Sequence, residues 1–77
     1  MSDALDACTA SNSTRAQWAR ETVEFFERKT IMQGEETEVI AKDLLTNLMH
    51  LFNEESIDFE NVLDEARRMH QTEVEQR

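Results

Sequence analysis

The stretch Asp43–His70, DLLTNLMHLFNEESIDFENVLDEARRMH, decides the fold of this 77-residue chain. Apolar residues recur there at three- and four-residue steps, in two runs separated by a short polar connection. Such spacing lines up one face of each of two helices. At the joint, Asp58 fits the N-cap position, where a carboxylate accepts backbone N–H bonds that the first helical turn leaves unpaired. Ile57 just before it and Val62 four residues after it form a hydrophobic staple. A connection this short predicts that the two helices pack antiparallel, as a hairpin.

The first rod of the hairpin begins upstream, near Glu36 or Thr37. Glu35, Glu36 and Glu38 cluster at its start, where the positive end of the helix dipole favours them. Its apolar positions are Ile40, Ala41, Leu44, Leu45, Leu48, Met49, Leu51 and Phe52. That stripe is wider than a two-helix seam needs, so the helix is expected to touch more than one neighbour. The second rod presents Phe59, Val62, Leu63, Ala66, Met69 and His70 on one face, with Glu73 and Val74 in its closing turns.

Further upstream, a first helix is predicted to open at Ser13 or Thr14 and to run to about Lys29. Ala19, Thr22, Val23 and Phe26 share a face, with Trp18 and Phe25 on its flank. Arg28 and Lys29 suit the negative end of the dipole, and Gly34 marks the break. Residues 1–12, MSDALDACTASN, are small and polar, and read as a flexible N-terminal arm ahead of a helical domain over 13–77. With no proline and one glycine, the chain lacks the turn residues that sheets require. The expected fold is all-α: a three-helix bundle with helices 2 and 3 as an antiparallel hairpin and a disordered arm.

Composition narrows the function classes. A chain this size buries only roughly 60% of its unfolded surface, so natural domains of similar length often add staples or a partner. Cys8 is the single cysteine, so no internal disulfide forms, and no CxxC or Cys/His cluster is present to hold zinc. A homo-oligomer, with a dimer favoured, is the expected source of extra buried surface. The N-terminus shows no basic segment followed by an apolar run, and no apolar stretch approaches the ~20 residues of a membrane span, so a cytoplasmic protein is expected. The net charge of −9 argues against direct contact with nucleic-acid phosphates or an anionic membrane. It is uneven: −2 over 1–14, +1 over 15–34, −4 over 35–54 and −4 over 55–77. A solvated acidic surface is the plain account. The sharper one is an acidic inhibitor that mimics nucleic acid and docks on a basic protein partner.

No arrangement of side chains reaches a catalytic motif. Cys8 and the serines near it have no base beside them, and one glycine makes no phosphate cradle. Asp43, Asn47, His50 and Glu54 share a face, which reads as a solvated strip or, more sharply, as metal ligands completed by a second copy. His70 is expected beside Lys42 and Asp43, with a His70–Asp43 hydrogen bond tying the open end of the hairpin. Trp18, Phe25, Phe26, Met49 and Phe52 are the candidate interface residues, because a small bundle leaves its uncovered apolar face for a partner.

Two resemblances add context. The run from Asp43 onward resembles small uncharacterised bacterial proteins, often carried on mobile elements, that contain a DLxxDLMH segment followed by IDFxxxLxxAR. The matching residues are Asp43, Leu44, Leu48, Met49, His50, Ile57, Asp58, Phe59, Leu63, Ala66 and Arg67, while Asn47 stands in place of the second aspartate. That likeness covers under half the chain and implies no activity. The same region is distantly similar to MazG-type nucleotide pyrophosphohydrolases, which are helical and bind magnesium through an EExxE pair of turns and a later ExxD. Here Val39 follows Glu35 and Glu36 where the third glutamate belongs, and Ile40 precedes Asp43 where the other glutamate belongs. The resemblance implies, as an alternative, an Mg2+ site between subunits drawn from Glu35, Glu36, Glu38, Asp43 and His50. The main expectation is a small non-enzymatic interaction protein that self-associates.

Overall fold

The computed structural model describes residues 10–75, which form three helices: α1 (Asn12–Thr30), α2 (Thr37–Glu55) and α3 (Phe59–Glu75). The fold is an all-α three-helix bundle in which α2 packs chiefly against α1, while α2 and α3 meet at the short joint between them. The closely paired α2–α3 hairpin expected from the sequence gives way to this α1–α2 packing. Among the described residues there is no strand, and no helix is long and apolar enough to cross a membrane. Of the arm expected over residues 1–12, positions 1–9 lie outside the described residues, and so do the surroundings of Cys8. The last three positions join the folded body. Ala10 is buried, Ser11 caps α1 and Asn12 is its first residue.

Each helix end shows how local chemistry sets its boundary. The cap of α1 lies two or three residues earlier than predicted, at Ser11 in place of Ser13 or Thr14. Ser11, in an extended conformation, accepts the Thr14 backbone N–H on its Oγ at 3.1 Å. Ser11, Ser13 and Thr14 are all competent caps, and the outermost one gains the longest helix. α1 closes at Ile31, not at Gly34: Ile31 takes the left-handed conformation at φ 57°. Met32 N–H then reaches Glu27 O at 3.0 Å and Ile31 N–H reaches Arg28 O at 3.4 Å, the paired bonds of a Schellman closure. Gly34, at φ 94°, serves the turn that follows.

α2 repeats the closure with Ser56 at φ 58°, where Ile57 N–H bonds Phe52 O at 2.8 Å. Its N-cap, Glu36, makes no side-chain capping bond. At the hairpin joint Asp58 caps α3 as expected, its Oδ1 accepting from Glu60 N–H at 3.0 Å and Asn61 N–H at 3.3 Å. The rings of Phe52 and Phe59 meet across the joint with centroids 5.9 Å apart, inclined by 48°. A tilted pair at that separation is a favourable aromatic arrangement.

The core is thin. Ile40 and Ala10 are the buried apolar residues among those described. Val23 and Phe26 of α1, Leu44, Leu48 and Phe52 of α2, and Phe59 and Leu63 of α3 are half-buried around them. The open end of the hairpin is tied to α1 and not to itself. Asn12 Nδ2 donates to the Glu73 backbone oxygen at 3.0 Å, and Arg15 Nε lies 3.5 Å from the Glu73 carboxylate. The predicted His70–Asp43 hydrogen bond does not form. His70 instead borders a cavity of about 290 Å³ together with Asn12, Arg15 and Glu73. The start of α1 thus meets the end of α3, a contact that no local sequence signal reveals.

Candidate functional site

Exposed apolar side chains are the dominant feature of the described surface. Each helix contributes a pair at helical spacing: Trp18 and Phe25 on α1, Leu45 and Met49 on α2, Val62 and Met69 on α3. Steps of four and seven residues bring the members of each pair onto one face of their helix. Phe25 is 60% exposed, Met69 62%, Leu45 48%, Met49 45% and Trp18 39%. Single exposed apolar residues are ordinary on protein surfaces, whereas recurrent pairs around a thin core mark surface meant to be covered.

The helices are well formed at their ends, yet among the described residues few apolar side chains are fully buried between them.

Of the five interface candidates, Trp18, Phe25 and Met49 are exposed, while Phe26 and Phe52 are half-buried. Phe26 lies on the face of α1 that carries Val23, one turn earlier, and Phe52 is engaged by Phe59. Leu45 was missing from those candidates, although the unusual width of the α2 stripe was the signal for it.

Glu35, Glu36, Glu38, Asp43 and His50 are all exposed. Among the described residues no three His, Cys, Asp or Glu side chains converge on a position that could hold a metal ion. Glu35 stands at the rim of a groove of about 370 Å³ between α1 and the start of α2. Ala16, Ala19, Val23 and Ile40 make its apolar floor, with Arg20 and Glu24 at the edge. Such a floor can seat an apolar side chain, with the carboxylates of Glu24, Glu27 and Glu35 and the guanidinium of Arg20 around it.

No protein-family model, curated protein or solved structure matches this chain. Neither sequence resemblance gains support from those comparisons.

Proposed function

We propose that the protein is a non-enzymatic helical interaction module that works as a self-associated assembly, a homodimer, in the cytoplasm. The observation that carries this reading is the exposed apolar pair on every helix around a core in which Ile40 is the one large buried side chain among the described residues. Obligate homodimers bury roughly 2,000–5,000 Å² in total, half from each partner. Apolar burial on that scale stabilises a 77-residue chain whose single cysteine allows no internal disulfide.

Size-exclusion chromatography with light scattering tests this directly. The expected mass is twice the 9.0 kDa of the chain at micromolar concentration. A folded species of 9.0 kDa across that range overturns the reading.

A further inference from the structure

α2 carries apolar side chains around about half its circumference, and its neighbours in the chain cover most of one flank of that stripe. Leu51 stays exposed there, near the end of the helix. Ile40 is buried, and Ala41, Leu44, Leu48 and Phe52 are half-buried. At about 100° per residue these five fall within an arc of about 120°. Leu45 and Met49 lie on the adjoining flank, one turn apart, and stay exposed. The same flank carries Glu38 and Lys42, whose charges cancel, followed by Asn53 near the end of the helix. In a chain of net charge −9, this is apolar surface that a second copy can approach without like-charge repulsion. The exposed pair on α1 differs, because Arg28 and Lys29 follow Phe25 within one turn.

We infer that the Leu45–Met49 face of α2 is the seam of a two-fold, antiparallel α2–α2 contact between two copies of this chain. The inference rests on the self-association reading and adds to it which surface closes and in which direction. With the two-fold axis near position 47, Leu45 packs on Met49 of the partner subunit, and Met49 packs on Leu45 of the partner subunit. Glu38 and Lys42 then both lie toward the C-terminal end of the other α2, as a pair of no net charge. A parallel arrangement would set Lys42 against Lys42 and Glu38 against Glu38, which like-charge repulsion disfavours.

Met49→Glu tests the seam, because each dimer holds two copies of the substitution. Helicity is followed by circular dichroism and association by sedimentation equilibrium. The dimer dissociation constant is expected to rise roughly 100-fold or more, the effect of losing a central anchor twice. Phe25→Glu is expected to leave it within about threefold. A dimer that survives Met49→Glu and dissociates with Phe25→Glu overturns this seam while keeping self-association, and a monomeric wild type overturns both. Direction is read by cysteine cross-linking in a Cys8→Ser background. Chains carrying Leu45→Cys and chains carrying Met49→Cys should link to each other faster than either links to itself. Faster linking between identical variants contradicts the antiparallel arrangement.

Discussion

Asn12, the first residue of α1, donates its side-chain amide to the backbone oxygen of Glu73 at 3.0 Å, across 61 residues of sequence. The Glu73 carboxylate faces Arg15 at 3.5 Å, and both side chains are shielded, at 21% and 28% exposure. Arg15 is steadied in turn by Asn12 Oδ1, which accepts from Arg15 Nη1 at 2.8 Å. This small network closes the ring of helices α1, α2 and α3. Near its other end, α3 is anchored by the Phe52–Phe59 contact at the joint.

Asn12→Ala should therefore loosen α3 more than its size suggests. One hydrogen bond to a partly buried carbonyl is worth about 1 kcal/mol, and the lost support for Arg15 adds a few tenths. Chemical denaturation should show a loss of about 1–1.5 kcal/mol. Hydrogen exchange should show the extra opening in the last two turns of α3 before it appears in α2. Equal protection in both helices would mean that the network does not hold α3.

Asp58→Ala should cost about 1 kcal/mol, since two first-turn N–H groups lose the carboxylate that accepts them. Asp58→Ser, which keeps an acceptor at the same position, should recover most of that loss. Failure of serine to recover it would place the aspartate's value in its charge and not in capping.

Ile31→Gly should stabilise the chain. A β-branched residue at φ 57° is strained by about 1–2 kcal/mol, and glycine removes that strain while giving back part of it as unfolded-state entropy. The expected net gain is about 0.5–1 kcal/mol by chemical denaturation. Ile31 is 86% exposed within one chain, so little packing is lost. A net destabilisation would show that Ile31 is buried in the assembled protein.

The parts of the fold legible in the sequence were those set by neighbours in the chain. The start of α3 followed from Asp58, because a cap needs only a few consecutive residues. The start of α1 was misplaced because three hydroxyl residues within four positions can each serve as its cap. The Asn12–Glu73 bond had no local signature at all, and His70 was assigned to Asp43 because the hairpin was considered without α1. At the candidate surface, periodicity identified Trp18, Phe25 and Met49 as uncovered. It could not separate them from Phe26 and Phe52, whose burial depends on how α1 crosses and how the joint closes. Leu45 follows from the same excess of stripe width, which periodicity alone does not divide into covered and uncovered flanks.

The central claim is that a second copy completes this fold, and thermal unfolding measured across a 100-fold range of protein concentration tests it most directly. Coupled folding and dimerisation predicts a single cooperative transition whose midpoint rises steadily with concentration. A cooperative transition with a midpoint independent of concentration would contradict it, for the thin core around Ile40 would then be holding the chain alone.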